Sequence, residues 1–332
     1  MPSRKHVAVI MGGVSSEHDV SLNSGRKVSE NLNADRYRVT PVTIHRDGAW
    51  EYPGEAPCDV FCGVRRLKEL DVDCVYLALH GPFGEDGRFQ GMLDILGLPY
   101  IGSGCAASAL AMDKVRSKAV VAQAGVRVAP QVLLGKGEWE RDSGAAVARV
   151  EAELGFPCVA KSPNQGSSLG MAIPQNADEL GAALPTLFQL DDTVLVEGFL
   201  RGREVTCAVL DVEPGTPPRA LPPTEIRPVS ASFFDYHAKY TPGATEEITP
   251  APLSIAATGK VQRLAERVHM LVGCRGLSRS DMILVDDEPV WLEVNTLPGM
   301  TQTSLMPQAA AAAGISFSEL VGLFVEAALA RD

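Results

Sequence analysis

The chain has 332 residues, 45% of them hydrophobic and 21% charged, and its formal net charge at pH 7 is −11. That length exceeds one small core and fits two or three domains. The composition is globular, with no apolar run long enough to span a bilayer, and the negative balance excludes a general nucleic-acid binder, whose phosphate contacts need a basic footprint. Small anions are still allowed, because local Lys, Arg and backbone N–H groups hold them whatever the overall charge.

The N-terminal MPSRKHVAVIMGGVSSEHD places basic residues before an apolar run. The run is short, however, and Gly12-Gly13 followed by Glu17, His18 and Asp19 predicts a first strand, a tight loop and a helix start rather than a secretory signal. HVAVIM, an amphipathic stretch near 18–33, RVTPVTI and CVYLAL then follow in β-α-β order, which predicts a parallel, doubly wound sheet. A helix is expected over 111–125. Beyond it, FPCVAKS, GMAI, TVLVEGF and EVTCAVLDV read as strands joined by short Gly-containing loops, with one clear helix near 177–188; antiparallel sheet with helices is expected. A proline-dense stretch, EPGTPPRALPPTEIRPVS, and an aromatic-rich one, FFDYHAKYTPGATEE, interrupt the pattern. Aromatic residues argue against disorder, so 231–246 is expected to form a lid. A helix over 257–272, the hairpin DMILVDDEPVWLEV and further helices complete the chain. Seven cysteines without a CxxC pair predict reduced thiols and a cytoplasmic protein.

The hairpin carries the first chemical signal. Asp281 is expected to open its first strand and Glu293 to close its second, around a turn at 286–289, so antiparallel pairing brings the two acids together, directly opposite or diagonal. Asn295, two residues beyond Glu293, shares its face. Two carboxylates and an amide oxygen without Cys or His are hard donors that suit Mg²⁺, and Mg²⁺ in turn implies a nucleotide phosphate. KSPNQGSSLGM at 161–171 offers Lys161 at a strand end and a Gly166-Ser167-Ser168 loop; it is not a Walker A loop, where the Lys follows the glycines and opens a helix. Each residue also has a plain explanation. Asn295 could enter a Pro-Gly turn, Glu17 start a helix, His80 bond to backbone at a strand end, and Arg279 pair with Asp281. Lys114 could sit on a solvated helix face, Glu197 and Glu204 on a strand surface, Ser304 at a helix N-cap and Tyr240 in a core.

Taken in order, HGPFGEDGRFQGMLDILGLPYIGSG, ALAMDKVRSK, KSPNQGSSLGM, DYHAKY, SRSDMILV and LEVNTLPGMTQTSLMPQ resemble the D-alanine:D-alanine ligase family of the ATP-grasp superfamily. The likeness runs from GGVSSEHDVSLNSG at 12–25 nearly to the C-terminus. It implies a mixed α/β and α+β protein: an N-terminal, Rossmann-like α/β domain with a parallel sheet over 1–102, then a two-part ATP-grasp fold with antiparallel sheets, divided into 103–196 and 197–332. It implies ATP as co-substrate between two antiparallel sheets, a pair of Mg²⁺ ions for which Mn²⁺ can substitute, D-alanine as substrate, no nucleic-acid or membrane partner, and a homodimer. Carried onto matching positions, Asp281, Glu293 and Asn295 resemble the metal ligands, and Lys114 and Lys161 the phosphate-binding lysines. Glu197 and Glu204 resemble the adenosine-binding pair, with Ser167 and Lys239 as further ATP contacts. Glu17 resembles the acceptor of the first substrate's ammonium and His80 the neighbour of its carboxylate. Arg279 resembles the residue that steadies the charged intermediate, Gly299 its backbone oxyanion donor, and Ser304 with Leu305 the second substrate's carboxylate site. Ser167 and Tyr240 resemble the pair tying the loops to Glu17. Two departures stand out: Lys161-Ser162-Pro163 displaces by one the proline that usually follows the lysine, and Gln165 replaces a frequent Glu. The rival readings are a ligase taking D-serine or D-lactate second, a nicotinamide oxidoreductase, weakened by the absence of GxGxxG, and a non-catalytic ATP-binding regulator.

Overall fold

The computed structural model describes residues 4–164, 170–228 and 245–331. Its first unit is built on β1 (Lys5–Gly12), flanked in parallel by β2 (Tyr37–Ile44) and β4 (Cys74–Leu77), with the short β3 (Trp50–Glu51) antiparallel to β2. β1 is buried from His6 to Gly12, so it reads as a continuous apolar run rather than an alternation. Helices α1 (His18–Asn31), α2 (Val60–Glu69) and α3 (Arg88–Leu96) surround the sheet. The order β3-β2-β1-β4 sends the chain to opposite sides of β1, and the carboxyl ends of β1 and β4 border the crevice where open α/β sheets bind ligands.

The single helix expected over 111–125 is two, α4 (Cys105–Met112) and α5 (Lys114–Gln123). Asp113 leaves the helical region between them and its carboxylate accepts the Arg116 N–H at 2.9 Å, the behaviour of an N-cap. The second unit is an antiparallel sheet in the order β5 (Gln131–Gly135), β8 (Thr193–Gly198), β6 (Cys158–Lys161), β7 (Met171–Ala172). Besides the expected helix, here α8 (Ala177–Leu187), it carries α6 (Lys136–Arg141) and α7 (Ser143–Glu153). Only Ala146 and Val150 of α7 are buried, and so thin an apolar stripe hides a helix from its periodicity.

The third unit is the antiparallel sheet β12 (Thr245–Ile248), β11 (Thr224–Pro228), β9 (Arg203–Asp211), β13 (Gly276–Val285), β14 (Glu288–Asn295), with β10 (Arg219–Ala220) beside β9. Val205, Cys207, Met282, Trp291 and Val294 on one face share a core with α4, α5 and α9 (Ile255–Val272). The helices α10 (Leu305–Ala312) and α11 (Phe317–Leu329) return to the first unit, where Leu320, Phe324 and Val325 join the core of Val7, Val9 and Tyr76. Among the described residues no single helix is long and apolar enough to cross a membrane; α10 and α11 reach that length only together, bent by 103°.

Asp281 lies within β13 rather than at its start: the strand begins five residues earlier at Gly276, in the small and polar run GLSRS, whose weak strand propensity conceals it. The turn is a two-residue loop in which Asp286 and Asp287 both take positive φ, 51° and 60°, the conformation that matches strand twist. Asp281 and Glu293 are direct partners, and the next pair is Met282 with Trp291, so Leu292 is an extra residue. This bulge lets Trp291 enter the core while Glu293, two residues on, faces the opposite side. Without it the two side chains would share a face.

In the first unit, Gly63 on α2 lies against the buried Trp50, which stacks on Phe89 with ring centroids 5.8 Å apart. A β-carbon at Gly63 would stand 2.4 Å from Trp50 Cγ. Gly63→Ala is therefore expected to cost about 1–3 kcal/mol by overpacking, seen as a lower thermal midpoint, with activity per folded molecule unchanged because neither Gly63 nor Trp50 lines the cavity at the carboxyl ends of β1 and β4.

Candidate active site

The open face of the third sheet, the carboxyl ends of β1 and β4, and the start of α10 enclose one cavity of about 370 Å³. Eleven of the expected site residues line it: Glu17 and His80 from the first unit, Lys114 from α5, Glu204 from β9, Arg279, Asp281, Glu293 and Asn295 from the hairpin, and Gly299, Ser304 and Leu305 from the segment leading into α10. Lys161 and Glu197 do not line it. Ser167, Lys239 and Tyr240 lie outside the described residues, as does most of the expected lid.

The two hairpin acids face cations supplied by the protein. Arg279 donates to Asp281 Oδ1 through Nε at 2.9 Å and to Oδ2 through Nη2 at 2.8 Å, and the Thr206 hydroxyl also donates to Oδ1, at 2.6 Å. Lys114 Nζ lies 3.1 Å from Glu293 Oε2. Burial opposes the Arg279 charge, yet Asp281, and behind it Glu293 and Glu85, hold the guanidinium firmly protonated. Asn295 approaches Asp281 through its amide at 3.3 Å. Arg279 thus does pair with Asp281, as its plain reading had it, and it also faces the cavity.

His80 is buried and held from several sides. Its carbonyl accepts the Ser15 hydroxyl at 2.7 Å, its Nδ1 lies 3.3 Å from Glu85 Oε1 and its Nε2 3.0 Å from Ser24 Oγ. Burial works against the imidazolium, but Glu85 and Glu17 outweigh it and raise the ring's pKa; burial raises that of Glu85. Gly81, at φ +72°, sits where a β-carbon would come within 2.6 Å of Glu17 Oε2. Only glycine meets both conditions, so the loop after β4 is shaped around the Glu17 carboxylate. At the far end Ser304 occupies the N-cap position of α10 without a side-chain cap bond; its Oγ instead accepts the Thr301 N–H at 3.1 Å. The first N–H groups of α10 are left as donors for a carboxylate.

Behind the cavity lies a charge cluster that the sequence reading only half identified. Glu197 on β8 pairs with Lys161 at 2.6 Å and, through its other oxygen, with Lys118, a side chain with no solvent exposure. Burial alone would raise the Glu197 carboxyl, but the two lysines hold it down to about 2. Burial brings Lys118 down to about 8, while Lys161 stays high because Glu197 and Glu293 outweigh its desolvation. One carboxylate facing two ammonium groups leaves positive charge beside the cavity. Lys118 and Glu85 were both missed. Lys118 follows Lys114 by four residues, one face of a helix, and Glu85 lies in the same motif as His80, so both signals were present. Val20 and Asn23, also missed, line the cavity from α1.

This combination of a parallel-sheet unit, two antiparallel sheets and a cleft with paired acids and lysines defines a ligase of the ATP-grasp class. Family models described as D-ala D-ala ligase N-terminus and D-ala D-ala ligase C-terminus match residues 6–103 and 120–326. The chain is 41% identical to D-alanine–D-alanine ligase of Leptospira interrogans, over 98% of this chain and 99% of that one, and 43% identical to D-alanine–D-alanine ligase B of Brucella suis, over 97% of each. Among solved structures it is similar to D-alanine–D-alanine ligase from Bacillus anthracis complexed with ATP (TM-score 0.80, 33% identity, 98% of each chain). It is also similar to VanG D-Ala:D-Ser ligase from Enterococcus faecalis (TM-score 0.84, 32% identity, 98% of this chain and 100% of that one). The chain belongs to the D-alanine–D-alanine ligase family.

Glu197→Gln leaves two buried lysines without their counter-charge, and is expected to cost about 3–5 kcal/mol of stability at pH 7. Because the folded carboxyl lies below its ordinary value of 4.5, at about 2, this contribution is present above about pH 4.5 and fades as pH falls toward 2. Urea unfolding of both proteins at several pH values should show the gap closing over that window.

Proposed function

We propose that the protein joins two molecules of D-alanine at the expense of ATP, through an acyl phosphate, as a step in making peptidoglycan precursors. The observation that carries this reading is the single cavity in which an amine-binding acid, Glu17, the Arg279 guanidinium of the hairpin, and an uncapped helix N-terminus at Ser304 and Leu305 meet. The first D-alanine presents its ammonium to Glu17 and its carboxylate toward His80 and Arg279. One carboxylate oxygen attacks the γ-phosphorus of ATP, the bond to the β-bridging oxygen breaks and ADP leaves. Lys114 and Lys161 neutralise the phosphate charge; this kind of transfer depends mainly on positioning and charge. The second D-alanine, its carboxylate held at the start of α10, uses its free amine to attack the acyl carbon. Arg279 and the Gly299 N–H face the oxygen that becomes negative, inorganic phosphate leaves, and the amine loses its proton to give the peptide bond.

Asp281 and Glu293, directly paired across β13 and β14, and Asn295 fit Mg²⁺, being hard oxygen donors without thiolate or imidazole. When bound there the ion supplies charge neutralisation for the phosphates. Two ions, with Mn²⁺ as a substitute, are part of the same reading. So are Glu204 and Glu197 on the adenosine side, a homodimer, and a cytoplasmic location, which seven free thiols suit. The resemblance to VanG supports one alternative, D-serine as the second amino acid.

ATP should be converted to ADP and phosphate only when Mg²⁺ and D-alanine are both present, and a panel of second substrates should favour D-alanine over D-serine. Pyrophosphate among the products would refute the acyl-phosphate route. Glu293→Gln keeps the shape and removes one negative charge, so turnover should fall about a hundredfold or more, with the melting temperature little changed. Arg279→Lys keeps the charge but loses the planar fork; kcat should fall more than KM rises, whereas the reverse pattern in steady-state kinetics would make Arg279 a ground-state binder.

A further inference from the structure

Ser24 lies on α1 with no solvent exposure, and its hydroxyl is the meeting point of three separate segments. Oγ stands 3.0 Å from His80 Nε2 and accepts the Met300 N–H at 3.3 Å. A serine inside a helix usually donates back to the carbonyl one turn earlier, as Ser29 does to Gly25 O at 2.8 Å. Ser24 instead bridges away from its helix. His80 has its other nitrogen against Glu85 and its carbonyl on Ser15, so Ser24 completes the fixing of the ring. On the other side, Met300 directly follows Gly299. Holding the Met300 N–H fixes the peptide plane that leaves Gly299, and so limits the rotation of the residue with the greatest backbone freedom.

We propose that Ser24 is a positioning residue that couples the first-substrate site to the backbone facing the tetrahedral centre, by tying the His80 ring and the Gly299–Met300 peptide to one hydroxyl. The inference rests on the reading of His80 and Gly299 given under Proposed function. It explains why the buried hydroxyl points where it does: a serine that served only to satisfy one buried N–H would need no imidazole partner. It also separates Ser24 from Ser21, whose hydroxyl donates to Ala78 O at 2.7 Å and accepts the Gly12 N–H at 2.8 Å, joining β1 to the end of β4 rather than to the cleft.

The test is steady-state kinetics of the full-length enzyme with Ser24→Ala, His80→Gln and the double variant, measuring both D-alanine KM values, the ATP KM and kcat. Ser24→Ala should raise the first-site D-alanine KM about tenfold and lower kcat about tenfold, the size of one lost hydrogen bond at each end, while the ATP KM moves less than about twofold. In the His80→Gln background the same substitution should add almost nothing to the first-site KM yet still lower kcat, since the Met300 link is lost either way. A uniform change in every constant, ATP KM included, or first-site effects that multiply in the double variant, would reduce Ser24 to a packing residue. If His80→Gln itself leaves the first-site KM untouched, the placement of His80 fails, and the Ser24 proposal falls with it. Should Ser24→Ala lose its melting transition, Ser24→Cys, close in size but weaker both as donor and as acceptor, must show the same pattern at smaller amplitude.

Discussion

The cleft depends on charge compensation between strands that pair in a fixed register. Asp281 and Glu293 stand directly opposite each other on β13 and β14, and two carboxylates so placed repel in a partly buried setting. The protein answers with Arg279 on one and Lys114 on the other. These cations come from different places: Arg279 lies two residues from Asp281 on the same strand, whereas Lys114 arrives from α5, anchored by the core beneath the sheet. The register that brings the acids together therefore also fixes where α5 must sit. One turn further along α5, Lys118 meets Glu197 of the second unit. A single ladder of alternating charges, Asp281–Arg279 and Glu293–Lys114 above, Lys118–Glu197–Lys161 below, joins the third sheet to the second.

Much of this was legible in the sequence because the relevant signals were local. The β-α-β order of the first hundred residues and the apolar run of β1 follow from short-range patterning and are present in the structure, as is the hairpin turn expected at 286–289, which is confined to Asp286 and Asp287 because β14 already starts at Glu288. The motif residues could be placed one by one, and eleven of them meet in one cavity. What was not legible had specific physical causes. The break at Asp113 was hidden because capping chemistry and helix periodicity coexist in one continuous apolar pattern. The early start of β13 was hidden because Gly276, Ser278 and Ser280 are strand residues for reasons of burial against β9, not propensity. The bulge at Leu292 could not be read at all, because an extra residue changes faces without changing composition.

Lys118 and Glu85 show a different limit. Nothing in their types distinguishes them from solvated charges on a helix or a loop. Their importance comes from burial, which a sequence states only through its whole fold. Once Lys118 has no exposure, its carboxylate partner Glu197 becomes obligatory; once Glu85 lies against His80, it raises the ring's pKa in spite of burial. The same charged residue on the surface would be worth little.

The way α10 and α11 close onto the first unit has a consequence for synthesis. β1, the central strand of the first sheet, shares its core with Leu320, Phe324 and Val325, and Glu326 accepts from the Tyr37 hydroxyl at 2.5 Å. The opening strands of the chain thus receive part of their helical cover from residues far along the sequence. During translation that part of the sheet stays uncovered until α11 has been made, and a chain cut short before α11 would leave it exposed. Long-range closure of this kind is slow to form and prone to aggregation while incomplete, so the interval between the synthesis of β1 and of α11 is the one in which apolar surface is open to misassembly.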